Sequence, residues 1–268
     1  MSRGLAPIIC LILSISPAQA QRPFITLAST TSTQNSGLFR HVLPKFTRAT
    51  GIAVRVVAVG TGAAIRLARA GDADVLLVHH KESELAFVAA GHGSLRRSVM
   101  YNDFILVGPG SDPAEIRSIL DVDHALSRIA SAQAIFLSRG DQSGTHKREL
   151  ELWADASTNP AVASGEWYRE TGSGMGATLN VAAAMGGYTL TDRGSWLGFA
   201  NKRGLVLLHE GDPRLRNEYG VVLVSRDRHP HVKAKAGQVF VDWILSEEGM
   251  DAIDEFEIDG TRLFHAIR

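Results

Sequence analysis

Apolar residues recur in short runs broken by glycine, serine and threonine, and the period of the runs changes along the chain. Phe24 to Ala28 and Val54 to Val59 are brief, β-rich and bounded by turn residues, so both are predicted to be buried strands. Leu38 to Arg48 follows helical spacing, with a kink or a division expected at Pro44. Ala63 to Arg69 predicts a short helix and Asp74 to Val78 a third strand. The order β-α-β-α-β is that of a doubly wound sheet, which holds ligands at the carboxyl ends of its strands. Two apolar segments, Tyr101 to Gly108 and Glu218 to Val224, are predicted to cross between lobes. Between them comes a second alternation: strand Ala134 to Leu137, helix His146 to Ala154, strand Trp167 to Glu170, helix Met175 to Met185 and strand Tyr188 to Thr191. Two helices should then return to the first lobe, His231 to Leu245 and Ser246 to Phe256, the latter capped by Ser246. Val232, Val239, Phe240, Trp243 and Ile244 form an apolar face that reads as core. The expected organisation is an α/β fold of two lobes, residues 21–106 plus 222–268 and residues 107–221.

The amino terminus departs from this pattern. Arg3 precedes the apolar run Ile8 to Leu13, and Ala18-Gln19-Ala20 supplies an A-x-A site. Residues 1–20 are therefore read as a secretory signal cleaved before Gln21. The apolar core is too short to span a bilayer comfortably, and no later run approaches that length. A soluble, exported protein is expected. Cys10 is the only cysteine and lies within the signal, so the mature chain should carry no thiol, disulfide or cysteine metal ligand.

Lysine plus arginine total 28 and aspartate plus glutamate total 28, giving a formal net charge of zero. No global field attracts nucleic acid or an acidic membrane surface, so any anion must be captured locally. Local donors are plentiful at the predicted strand ends. The first is followed by Ser29 to Gly37, rich in hydroxyls, and the second by Gly60-Thr61-Gly62. The strand ending at Leu137 runs into "SRGDQSGTHKRELELW", Ser138 to Trp153, where small donors surround Arg139 at the start of a helix. Arginine offers five N–H donors, and a helix amino terminus offers free amides and a favourable dipole. A tetrahedral dianion presents only acceptors, so a cage for it should be built of donors.

"TTSTQNSGL" (Thr30 to Leu38), "VGTG" (Val59 to Gly62), "GDADVLLVH" (Gly71 to His79) and "VMYNDFILVGP" (Val99 to Pro109) precede the Arg139 segment. "ETGSGMGATL" (Glu170 to Leu179) and "YTLTDRGSW" (Tyr188 to Trp196) follow it. Together, and in this order, they resemble the TupA-like tungstate-binding family of bacterial ABC importers, over almost the whole mature chain. The resemblance implies a two-lobed periplasmic-binding-protein fold of type II, with doubly wound sheets joined by two crossover strands. It implies a periplasmic, monomeric receptor that closes on one tungstate and delivers it to a membrane permease, with no cofactor, catalytic residue or cation site. Carried over by motif, the oxyanion ligands are Thr31, Ser32 and Thr33 from the first strand end and Thr61 from the second. Arg139, Ser143, Gly144 and Thr145 come from the other lobe. Molybdate is the near alternative as ligand, sulfate and phosphate the distant ones.

Plainer readings exist for several of these residues. Ser32, Ser36 and Thr61 suit helix caps, and Arg139 could pair with Asp141 or Glu149 on the surface. Gly172 to Gly176 reads as tight packing at a helix start. Neither His79-His80 nor His229-His231 has the spacing of a metal site, and the four tryptophans read as core. Ser143 with His146 raises a serine hydrolase as the rival from another class, although no G-x-S-x-G elbow occurs. His79 ends the third strand and either points away or faces the cleft. In the second case tungstate affinity should rise modestly from pH 8 to pH 6 as it protonates, and His79→Asp should weaken tungstate while improving phosphate.

Overall fold

The computed structural model describes residues 22–268, and the expected signal and its cleavage point lie outside the described residues. The chain opens with β1 (Phe24–Thr30), α1 (Thr31–Ser36), α2 (Leu38–Thr50), β2 (Ala53–Val59), α3 (Thr61–Ala70), β3 (Val75–Val78) and α4 (Lys81–Ala89). It continues with β4 (Arg97–Pro109), α5 (Val122–Ser131), β5 (Phe136–Ser138), α6 (Gly144–Asp155), β6 (Tyr168–Glu170), α7 (Met175–Met185), β7 (Thr189–Asp192), α8 (Arg193–Gly198) and β8 (Leu205–His209). β9 (Arg216–Leu223), α9 (Ala234–Ile244) and α10 (Glu247–Asp254) return, followed by short β10 (Glu257–Ile258), β11 (Thr261–Arg262) and β12 (His265–Ala266).

The first sheet has the order β12-β4-β9-β3-β1-β2, with β1 parallel to β2 and β3, and β9 antiparallel to β3 and β4. Its central strand shows why it is covered on both faces. Val75 and Leu77 of β3 pack into one core with α2 and α9, while Leu76 and Val78 pack into another with α3. Strand alternation makes an unbroken apolar run the sign of such burial. The second unit repeats the arrangement on the far half of β4, where Phe104 and Leu106 join a core with α5 and α6, and Ile105 and Val107 one with α7. β7 and β8 flank this half of β4, and β5 adjoins β7 through an isolated bridge between Phe136 and Tyr188.

β4 changes partner within one step, Asp103 pairing with Arg216 of β9 and Phe104 with Asp192 of β7. Arg193 staples this point, donating from Nε to Asp103 at 2.8 Å. The cores thus change at 103/104 and again near Leu215, which packs in the second, whereas Tyr219 and Val221 already pack in the first. The expected bounds at 106/107 and 221/222 fall inside these cores, because an apolar run alone does not show where its strand changes sheet.

α2 passes through Pro44 undivided. Proline removes only its own N–H there, and the carbonyl left free belongs to exposed Arg40, where water can satisfy it. α1 occupies what read as a loop, and α4, α5 and β8 are further elements. Val232 precedes α9 rather than belonging to it, and Val239 is exposed, so the helix buries Phe240, Val241, Trp243 and Ile244. Ser246 caps α10, accepting from the Gly249 N–H. No helix among the described residues is long and apolar enough to cross a membrane.

Candidate anion-binding site

Three strand ends of the first sheet converge. Thr30 at the end of β1 caps α1, its Oγ1 lying 2.7 Å from Thr33 Oγ1 and 3.1 Å from Ser32 Oγ. Ser32 and Thr33 are buried, whereas Thr31 is exposed. After β2, Gly60 caps α3 and Thr61 is its first residue, so Thr61 is not the cap its sequence context suggested. After β3, His79 is buried against Tyr219, with ring centroids 4.8 Å apart and its Nε2 3.3 Å from Ser32 Oγ. The N-cap of α2 is Gly37, not Ser36, which ends α1 and accepts from the Leu38 N–H at 3.3 Å from one position further back.

The facing elements come from the second unit. Arg139 leaves β5 with 6 % of its side chain exposed. Asp141 accepts from its Nε at 3.1 Å and Nη2 at 2.5 Å, while Nη1 points to Thr145 Oγ1 at 3.5 Å. The pairing with Asp141 is real but buried, and it aims the guanidinium rather than occupying it. Gly140 makes the turn at φ +58°, where an added Cβ would lie 2.8 Å from Glu170 Cβ. Burial acts to raise the Asp141 pKa, but hydrogen bonds from Ser143 and the charge of Arg139 outweigh it and hold the carboxyl below its usual value. Ser143 caps α6, accepting from the His146 N–H at 3.2 Å, and Gly144 and Thr145 begin the helix. The cleft therefore faces the amino end of a 12-residue helix.

The two sides meet at one bond. The Gly144 N–H donates to Thr61 Oγ1 at 3.2 Å, and a Cβ on Gly144 would lie 3.0 Å from that oxygen and 3.1 Å from His79 Cε1. Farther out, Lys147 donates to Ser83 Oγ at 3.0 Å, and His80 Nε2 lies 3.2 Å from Glu151. His80, Glu82 and Glu151 form a cluster of possible metal ligands. His80 Nδ1, however, accepts from the Ser83 N–H at the start of α4, which leaves the ring proton on Nε2, facing Glu151.

The carboxylates near the cleft are occupied elsewhere. Asp192 is 2 % exposed and accepts from Ser195 N at 2.9 Å and Ser195 Oγ at 2.6 Å as the cap of α8. The hydrolase arrangement does not form, because the His146 ring accepts from the Gln142 N–H and only the His146 backbone amide meets Ser143. Burial pushes the His79 pKa down to about 4, with Asp192 opposing the shift. Burial therefore disfavours the charged ring, against the expected rise of affinity on protonation. The tight packing expected at Gly172 to Gly176 is not found: the three glycines are exposed, with nothing within 4 Å of an added Cβ, and the segment is held instead by Ser173 N donating to the Arg139 carbonyl at 3.1 Å. Sequence reasoning missed Thr30, Asn102 and Asn217. The last two sit on crossover strands that read only as apolar segments, and neither carries a local signal.

The PBP superfamily domain matches residues 16–248. The tungstate-binding protein TupA of Peptoclostridium acidaminophilum is 47% identical over 87% of this chain and 81% of its own length. Among solved structures, the tungstate-binding protein TupA from Desulfovibrio alaskensis G20 aligns at TM-score 0.82 with 42% identity, covering 91% of this chain and 99% of that one. The tungstate ABC transporter structure from Geobacter sulfurreducens aligns at TM-score 0.80 with 43% identity, over 87% of this chain and 98% of that one. The chain belongs to the PBP superfamily and, within it, to the TupA family.

Proposed function

We propose that the protein is the solute-binding component of an ABC importer and captures one tungstate between its two units. One observation carries this reading: the Gly144 N–H to Thr61 Oγ1 contact brings together two sets of donors, with the nearby Asp141 already engaged by Arg139 and Ser143 and Asp192 by Ser195. Ser32, Thr33 and Thr61 supply hydroxyls from one side, and Thr31 its amide. Arg139, Ser143, Gly144 and Thr145 supply the guanidinium, hydroxyls and helix amides from the other. Hydrogen bonds to a charged group contribute roughly 1.5–3 kcal/mol each, so about six suffice for tight capture after desolvation and ordering costs. One cation among neutral dipoles matches a dianion without trapping it irreversibly. The TupA relatives, named for binding tungstate, support the choice of ligand.

In this reading residues 1–20 direct export to the periplasm, the protein acts as a monomer, and a membrane permease receives the anion. The site performs no bond chemistry and needs no cofactor. The test is equilibrium dialysis against an equimolar mixture of tungstate, molybdate, sulfate and phosphate, followed by elemental analysis of the protein. One tungsten per chain is expected. Molybdenum or phosphorus, or sulfur beyond that of the chain's own methionines, in its place overturns the ligand assignment.

A further inference from the structure

His79 belongs to a buried chain of side chains that reaches away from the cleft. Its Nδ1 lies 3.0 Å from Asn217 Oδ1, and Asn217 Nδ2 lies 2.6 Å from Asn102 Oδ1 and 3.4 Å from Tyr219 OH. Asn102 and Asn217 are each 2 % exposed, and they stand opposite one another in the β4–β9 ladder. In this orientation Asn102 Nδ2 is buried with no partner. His79 then carries its proton on Nδ1 and turns a lone pair toward Ser32 and the cleft.

A carboxamide has nearly the same shape when its oxygen and nitrogen exchange places, so the hydrogen-bond chain decides between the two orientations. Turning both over preserves the 3.0 Å and 2.6 Å contacts. Asn102 Nδ2 then donates to Asn217, Asn217 donates to His79 Nδ1, and Tyr219 OH can donate to the Asn217 oxygen. The one atom left without any partner is then an acceptor instead of an NH₂, each amide nitrogen now using one of its protons, and a donor atom with no partner at all is the rarer and costlier case. His79 now carries its proton on Nε2, beside Ser32. An anion favours this form, since a lone pair facing an oxyanion repels it.

We propose that His79 is a specificity-determining donor of the anion cage, held in its Nε2–H form by Asn217 and Asn102. The cage then offers the proton of hydrogen phosphate neither a carboxylate nor an imidazole lone pair, only hydroxyls, and fully deprotonated dianions are preferred. The proposal rests on the cleft being an oxyanion site. Burial keeps the ring neutral, so one nitrogen alone holds the proton.

Ring-nitrogen NMR of the ¹⁵N-histidine-labelled full chain, without ligand and with tungstate, reads the tautomer directly. The Nε2–H pattern is expected for His79 in the tungstate complex; an Nδ1–H pattern there overturns the proposal. Two variants test the donor by position, because a glutamine amide falls near Nε2 and an asparagine amide near Nδ1. His79→Gln should hold tungstate affinity within about threefold, and His79→Asn should lower it by about tenfold or more. Equal losses in the two variants overturn the donor role. If the wild type fails to bind tungstate, the ligand assignment falls, and the tautomer is then read in the complex with whichever dianion does bind.

Discussion

Where the Gly144 amide meets Thr61, a methyl group is too large. Gly144 has no positive φ to require glycine; what excludes a side chain is Thr61 Oγ1 at 3.0 Å and His79 Cε1 at 3.1 Å from its would-be Cβ. Gly144→Ala should therefore leave melting temperature unchanged, alanine being the better helix former, and weaken tungstate by about tenfold or more by holding the cleft ajar. Full affinity in that variant would show that closure does not bring these atoms together. Arg139→Lys removes the geometry that lets one cation satisfy Asp141 with two nitrogens while presenting a third toward Thr145. A loss of at least about tenfold in tungstate affinity is expected by titration. An unchanged value would place Arg139 in the fold alone.

Between elements, α6 grips the start of α4 through Lys147 to Ser83 and Glu151 to His80, with Arg148 holding Glu151 at 2.7 Å. Such partly exposed pairs contribute about 0.2–1 kcal/mol each, and they act on the closed form without touching the anion. Glu151→Leu should weaken tungstate and molybdate by the same factor, about two- to fivefold, leaving their ratio unchanged. A changed ratio, measured by titrating both anions, would mean that the contact shapes the cage. What the sequence showed of these elements follows from burial. β1 and β3 are covered on both faces and announce themselves as apolar runs, and β2, an edge strand with Arg55 and Val57 exposed, reads as a strand through its valines, whereas α4 buries only Glu84 and Phe87 and leaves no periodic stripe. α1, of sequence TSTQNS, has no apolar face, and the cap at Thr30 holds its first turn. α5 buries Val122, Ala125, Leu126 and Ile129 at helical spacing, so its signal was present though unread. Hydroxyls and glycines at strand ends marked most of the site, because donors cluster there locally. Asn102 and Asn217 did not, because only the antiparallel register of β4 and β9 brings them to His79.

For the whole molecule, pH sets two buried groups against each other. His79 is lowered from 6.5 to about 4, so the unfolded chain takes up its proton first and stability is lost as pH falls through that interval. Glu149, under the cleft on α6, is pushed from 4.5 up to about 7 by burial, against hydrogen bonds from Tyr168 and Trp153. There the native state keeps its proton longer than the unfolded chain, and stability is lost as pH rises from 4.5 to about 7. Glu149→Gln imitates the protonated acid, so its melting temperature should match wild type near pH 5 and exceed it at pH 8, by an amount on the order of 2 kcal/mol. A gap that does not change with pH would show that Glu149 titrates alike in the native and unfolded chain, its pKa not raised by burial. His79 brings no charge change to the cage between pH 6 and pH 8 if burial keeps it neutral, and the charge Glu149 gains on passing pH 7 sits on its bonds to Trp153 and Tyr168 rather than on a cage donor. Capture of a dianion by fixed donors is tested most directly by calorimetric titration of the full mature chain with tungstate, molybdate, sulfate and phosphate at pH 6 and pH 8. One site per chain is expected, with tungstate bound far more tightly than sulfate or phosphate and with the same affinity at both pH values. Tungstate binding that is no tighter than sulfate, or that weakens in acid, would contradict a cage made only of donors.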